Sequence, residues 1–410
     1  MSSLLLQSEQ TVPRRVPGRP RAFPRIAYFS DLEFPSQSVA TMQIVKTVEA
    51  LTKQGVPVDL IVPVPWHRRE MGAAQRLDHL GRYYSLKGTV RFREFHTPLP
   101  MVKRLHRPLF TMQTLKWVTQ QPYDLVYVRN FMHARRAFRM GLPVLFETYR
   151  FSKSEKDIRS LIPLLNKGTH FKGVIVHSEL ARRYWLYLGA NPAKIITVHN
   201  GVDPGEQAEC GDRDSLRKNL GLPTDRPIIT YAGNTDKSKG LDSIFEIARE
   251  LPDFLFQIVG VNRQRDYSRL AELAHQMKLE NIRMIDWLPP GEVQPYLQSS
   301  DALIIPPTSK PLVTNGNTVL PIKTFAYLAS GVPVLAPRLP DTSDILEHEK
   351  NAFLLQPDRP KDNAREIKKL FSNSDLLKHI GLEGRKTAAR FTWAARAEKI
   401  ASFLDNSMGV

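Results

Sequence analysis

Two glycine-marked, lysine-bearing segments carry the clearest chemistry in this 410-residue chain. Residues 231–240 (YAGNTDKSKG) leave an apolar strand through Gly233 and enter a helix after Gly240, which puts Lys237 and Lys239 beside the free N–H groups of a helix start. An ammonium next to such N–H groups makes a phosphate site. Standing alone, the segment reads equally well as a solvated turn. Residues 314–323 (TNGNTVLPIK) are more specific: Pro321 suits the first turn of a helix running to Ser330, and Lys323 lies within that turn. A lysine there opposes the helix dipole, and a bound diphosphate would relieve the opposition. The candidate ligand-binding residues of these two segments are Gly233, Asn234, Lys239, Asn317, Thr318 and Lys323.

A second set of polar residues directly follows apolar runs. Arg129 and Asn130 come after residues 124–128, and Glu147 ends residues 144–147, followed by Tyr149 and Arg150. In an open parallel sheet the ligand lies beyond the carboxyl ends of the strands, so these three are the candidate catalytic residues. Arg129 suits a carboxylate or phosphate on a substrate, although a plain surface arginine is an equal reading. Asp212 and Asp214 flank Arg213 in a polar stretch and read as a solvated turn rather than a metal pair. With Cys210 the sole cysteine, no cysteine metal cluster can be built, and a reducing compartment is expected.

The elements that must hold these residues alternate. Apolar strands are expected at residues 25–30, 56–63, 124–128, 144–147 and 173–177, with helices over 38–53 and 179–188. A second series, at 227–232, 254–260, 282–286, 302–306 and 332–336, repeats the pattern. Strands alternating with helices imply doubly wound parallel sheets, and the length suits two such domains. The expected division is a flexible basic arm over 1–23, an N-terminal Rossmann-like domain over 24–203, a linker over 204–224 and a C-terminal Rossmann-like domain over 225–390. A helix over 391–410 remains, free to cross back to the first domain.

Charge divides unevenly. Residues 1–200 hold 31 Lys and Arg against 13 Asp and Glu, a surplus of 18, whereas residues 201–410 hold 27 against 28. Such asymmetry suits a first domain that faces an anionic surface, either membrane or nucleic acid, with solubility alone as the plain alternative. No aromatic stacking platform or nucleic-acid module accompanies it, so nucleic acid is not the expected partner. The start lacks a signal-peptide pattern, and no uncharged apolar run reaches ~18 residues. A cytoplasmic protein, peripheral on a membrane face, is the expectation.

The ordered set of residues 199–203 (HNGVD), Gly233 to Lys239-Gly240, 329–336 (ASGVPVLA), 351–355 (NAFLL) and 391–393 (FTW) resembles the retaining GT-B glycosyltransferases of family four. The resemblance covers roughly residues 24–405 and is strongest after residue 170. It implies a cleft between the domains and metal-independent transfer of a hexose from a nucleotide diphosphate sugar, with a UDP-sugar the expected donor and no cofactor. It also implies a glycolipid, lipid-linked saccharide or polysaccharide as the acceptor. By the same resemblance Lys239 contacts the donor diphosphate, and its usual arginine partner falls on Asn234. The family's paired glutamates fall on Thr318 and Ala326. In the subgroup with a Ser-Pro-x-Lys segment, Lys323 supplies the extra phosphate cation. The first-strand loop, with Ser36, Gln37 and Ser38, lacks the family's glycines, and Arg129-Asn130 stand where a histidine is common, with His133 further on. These departures leave a second reading open, a degenerate member that binds a sugar nucleotide or a partner without turnover.

Overall fold

The computed structural model describes residues 23–36, 38–64, 72–96, 103–151, 154–203, 210–316 and 320–408. Two parallel sheets organise it. The first contains β1 (Ile26–Phe29), β2 (Val58–Val64), β3 (Arg91–His96), β4 (Leu125–Val128), β5 (Val144–Thr148), β6 (Phe171–Val176) and β7 (Ile195–Thr197), in the order β3-β2-β1-β4-β5-β6-β7. The second contains β8 (Ile228–Ala232), β9 (Leu255–Val261), β10 (Ile282–Asp286), β11 (Ala302–Ile304), β12 (Val334–Pro337) and β13 (Phe353–Leu355), in the order β10-β9-β8-β11-β12-β13. The inner strands are mostly apolar and buried along their length because helices cover both faces. By contrast, β3 (RFREFH) is an edge strand that is only partly covered.

The helices of the first half are α1 (Val39–Lys53), α2 (Ala73–Tyr83), α3 (Lys103–Val118), α4 (Phe131–Arg139), α5 (Glu155–Lys167) and α6 (Glu179–Tyr187). Those of the second are α7 (Arg213–Asn219), α8 (Asp242–Glu250), α9 (Tyr267–Gln276), α10 (Gln294–Gln298), α11 (Lys310–Asn315) and α12 (Ile322–Ser330). Three more close the chain: α13 (Pro360–Phe371), α14 (Ser374–Ala388) and α15 (Trp393–Met408). Ser38, Asn130 and Ser178 each cap the helix that follows a strand, their side-chain oxygens accepting N–H bonds from the first turn. No described helix is long and apolar enough to cross a membrane.

Each sheet reverses its strand order at one point, β1/β4 in the first and β8/β11 in the second, where an open parallel sheet leaves room for a ligand beyond the strand ends. The last helix, α15, lies on the first domain, with Trp393, Ala397, Ile400 and Leu404 in one buried cluster with Ile26, Tyr28 and Val48. Two passages of chain thus join the domains, and they touch. Val202 N–H donates to the Phe391 carbonyl at 3.0 Å, and a Cβ on Gly201 would lie 2.5 Å from the Thr392 carbonyl carbon. Only glycine fits between them.

Two expectations need correction. Asp212 caps α7, accepting from the N–H groups of Asp214 and Ser215, so this stretch is a helix start and not a turn. That helix belongs to the second domain, because Arg217 pairs with Asp301 at 2.6 Å; the linker expected over 204–224 therefore already contains domain structure from residue 212. Of the basic arm expected over residues 1–23, residues 1–22 lie outside the described residues, as does Gln37.

Candidate active site

The β1/β4 crevice of the first domain holds a cavity of about 390 Å³. Arg129 and Asn130, directly after β4, stand at its wall with Asp31, Arg107 and Arg135. Asn130 is fixed twice, as the cap of α4 through its Oδ1 and as a donor from Nδ2 to the Asp31 carboxylate at 3.2 Å. Arg107 also meets Asp31, at 3.0 Å, and Arg135 meets Asp157 at 2.8 Å. Arg129 differs from these. Its Nη2 donates to Gln43 Oε1 at 2.7 Å and its Nε lies 3.8 Å from Glu147, but its buried Nη1 has no hydrogen-bond partner among the described residues. Buried N–H groups are nearly always satisfied, so an orphan beside a cavity calls for a ligand acceptor or water.

Glu147 also contributes to this wall, although its side chain is fully buried. It accepts from Tyr127 Oη at 2.6 Å, His177 Nε2 at 2.6 Å, Arg396 Nη2 at 2.7 Å and Tyr28 Oη at 3.3 Å. Burial by itself would raise its pKa, but Arg129, Arg396 and the His177 bond hold the carboxyl well below its usual range. Both oxygens are occupied, and a carboxylate so firmly charged does not act as a proton donor. Glu147 thus ties Arg129 and His177 together. Burial pushes His177 down to about 4, so its ring is neutral at pH 7.

In the second domain, Gly233, Asn234, Lys239 and Lys323 come together beyond β8. Residues Lys237–Lys239 form a 3-10 turn, and Gly240, at φ +69°, leads into α8. A Cβ on Gly240 would lie 2.4 Å from the Thr308 methyl group, so the loop packs tightly on the segment after β11. Lys323 occupies the first turn of α12, with its ammonium 3.6 Å from the centre of the Tyr231 ring, and a Cβ on Gly233 would sit 2.6 Å from Nζ. No carboxylate pairs with it among the described residues. Burial and then the charge of Lys239 hold its pKa well below the usual lysine range. A cation penalised in this way is poised for an anion. The Asn234 side chain points to other protein groups, accepting from Asp236 N–H at 3.0 Å and Arg265 Nη2 at 2.8 Å. Asn317 and Thr318 lie outside the described residues.

Most of α12 is buried, but Ile322, Lys323 and Ala326 share a partly open face, so Ala326 is not sealed in the core. Ile322 packs against the first domain's core cluster, and Leu312 of α11 against its other cluster. Tyr83 stacks on Trp287 at 6.3 Å between centroids, and Asp344 accepts from Glu179 N–H at 2.6 Å. Lys323 therefore sits one residue from the contact between the domains.

The profile described as glycosyl transferases group 1 matches residues 212–387, and that of glycosyltransferase family 4 matches residues 40–206. The chain belongs to the GT-B glycosyltransferases. Among its relatives in this family, D-inositol 3-phosphate glycosyltransferase 2 of Catenulispora acidiphila is 26% identical over 243 residues, covering 56% of this chain and 54% of that protein. An uncharacterized glycosyltransferase of Methanocaldococcus jannaschii is 22% identical over 337 residues, covering 72% and 88%. The chain spans about half the length of the inositol-phosphate glycosyltransferases it matches. Anabaena HepE in complex with UDP-glucose superposes with a TM-score of 0.70 at 15% identity, over 93% of this chain and all of that one. Sucrose-phosphate synthase of Thermosynechococcus elongatus gives 0.76 at 16% identity, over 94% and 99%. At such identities the superpositions establish the GT-B fold.

Sequence reasoning did not single out His177, Gln43 or Arg396, which surround Arg129 and Glu147. A signal existed for His177, which ends an expected strand at its carboxyl end. None existed for Arg396, which reaches Glu147 from 249 positions away.

Proposed function

We propose that this glycosyltransferase moves a hexose from a nucleotide diphosphate sugar, with UDP as the nucleotide, to an acceptor seated in the first-domain cavity, with retention of configuration. The observation that carries the reading is Lys323, a desolvated ammonium without a carboxylate, pressed against Gly233 and Tyr231 at the domain contact. As the sugar–oxygen bond of the donor breaks, negative charge grows on the departing diphosphate, and Lys239 and Lys323 stabilise it. The acceptor hydroxyl bonds to the anomeric carbon, and its proton passes to the departing phosphate oxygen.

The acceptor carries a phosphate or carboxylate. The unpartnered Nη1 of Arg129, a residue of the cavity wall, supports this, and the relatives named for inositol 3-phosphate fit it. The surplus of 18 positive charges in residues 1–200 supports an acceptor displayed on an anionic membrane, where each well-placed basic residue contributes about 1 kcal/mol. The protein then works as a peripheral enzyme on the cytoplasmic face. A second reading, binding without turnover, draws on Ala326, which offers a methyl group on the open face of α12.

A thermal-shift panel of UDP, GDP, ADP and their sugars tests the proposal. A ligand at about 100 times its Kd adds ~2.7 kcal/mol of stability. Lys323→Ala should abolish that shift without lowering the melting temperature of the free protein, because it removes a cation that burial penalises. Unchanged affinity in Lys323→Ala would remove the lysine from the site. Sugar transfer or donor hydrolysis, followed by product analysis, separates turnover from binding alone.

A further inference from the structure

The loop Gly233–Gly240 supplies few cations of its own to a diphosphate, yet a guanidinium reaches it from the next strand–helix connection. Gly260, at φ +98° near the end of β9, is where a Cβ would lie 2.8 Å from the Gly233 carbonyl oxygen. That close approach lays the turn after β9 against residues 234–236. The turn is tied by Asn262, whose carbonyl accepts from the N–H groups of Asp266 at 2.8 Å and Tyr267 at 3.2 Å, and whose side chain accepts from Arg265 N–H at 3.0 Å. Asp266 is buried, and its Oδ2 accepts from Thr235 Oγ1 at 2.9 Å and from Arg265 through Nε at 3.0 Å and Nη2 at 2.6 Å. The same Nη2 donates to Asn234 Oδ1 at 2.8 Å.

We infer that Arg265 is a donor-binding residue that contacts the diphosphate beside Lys239 and Lys323, supplying from β9–α9 the guanidinium that is lacking at Asn234. The inference rests on the nucleotide-sugar reading above. Three observations carry it. The guanidinium is held on two sides, by Asp266 and Asn234, but its side chain is 53% exposed and Nη1 has no partner among the described residues. The loop does not need Arg265 as an anchor, because Arg269 Nη2 already donates to the Thr235 carbonyl at 2.7 Å and Tyr231 Oη to the Asn234 carbonyl at 2.5 Å. Lastly, Arg265 bonds to Asn234 while Lys323 abuts Gly233, so the two cations address adjacent residues of one loop. A planar guanidinium already oriented by a buried carboxylate loses little entropy on gripping phosphate oxygens, and Lys would not reproduce its geometry.

The test is titration calorimetry of the full chain with whichever of UDP, GDP and ADP the wild type binds. Arg265→Ala and Arg265→Gln should each weaken binding about tenfold, Arg265→Lys should retain part of it, and adding Asn234→Arg to Arg265→Ala should recover affinity to within about threefold of wild type. Arg265→Gln retains a hydrogen-bonding side chain, which guards against a folding defect in the alanine variant. Binding within twofold of wild type in both variants, while Lys323→Ala loses it, would overturn the role of Arg265 and leave the nucleotide reading standing. A loss that Asn234→Arg fails to recover would assign Arg265 to holding the turn, and also overturn the inference. If the wild type bound none of the three nucleotides, the nucleotide reading itself would fall.

Discussion

Arg396 offers the most demanding test of how the first domain is held together. Its side chain is 1% exposed and makes four bonds: to Glu147 Oε1 at 2.7 Å, the carbonyls of Val198 at 2.8 Å and His199 at 2.9 Å, and Thr47 Oγ1 at 3.1 Å. Arg396→Ala leaves the Glu147 carboxylate buried with Arg129 at 3.8 Å as its nearest remaining cation. Removing one partner of a buried ion pair costs about 3–5 kcal/mol. In a cooperative unit of this domain's size each kcal/mol lowers the melting temperature by roughly 2–4 °C, so a drop of about 6–20 °C is expected. Urea unfolding followed by tryptophan fluorescence and circular dichroism measures the loss, and the double-mutant cycle assigns it. Glu147→Gln removes the buried charge, so Arg396→Ala should cost at least about 1 kcal/mol less in that background than in the wild type. A single-variant cost under about 1 kcal/mol, or strict additivity, would show that the pair is not what fixes α15 to the sheet.

Acid should weaken the fold through the same cluster. His177 has its pKa lowered to about 4, chiefly by burial, against 6.5 when unfolded; the unfolded chain therefore takes up the proton first. Stability is complete above pH 6.5 and falls as pH drops towards 4, by about 3 kcal/mol for this residue. Urea midpoints at pH 7.5 and 5 should differ accordingly, with a smaller difference in His177→Gln, and a flat wild-type profile would contradict the assignment. The charge division makes a separate forecast: the full chain should bind anionic vesicles at low salt, lose them steeply towards physiological salt, and ignore neutral ones. Reversing Arg136 and Arg139 on α4 to glutamate should weaken vesicle binding and spare nucleotide binding; equal binding to neutral and anionic vesicles would point to a soluble acceptor.

What the sequence disclosed follows from which forces act locally. Strand β8 is buried at every position and apolar at all but Thr230 because both its faces are covered, and the expected 227–232 matches the observed Ile228–Ala232. Strand β3 (RFREFH) escaped notice because an edge strand, partly open on both faces, has no apolar run to betray it. Helix α7 (RDSLRKN) was hidden in the expected linker for a similar reason: one leucine and one buried arginine hold it to the second domain, and no apolar periodicity results. The site divides along the same line. Arg129, Asn130 and Glu147 were legible as strand-end residues, since a parallel sheet presents whatever follows its strands. That Glu147 is enclosed was not legible, because its partners come from positions 28, 127, 177 and 396, and no local pattern links those. The same holds for Arg265. In the segment Asn262-Arg-Gln-Arg265 nothing distinguishes one arginine from the other, and only the approach of Gly260 to Gly233 selects which of them meets the loop after β8. Local pattern writes the scaffold, and long-range packing decides which of its polar residues remain free to bind.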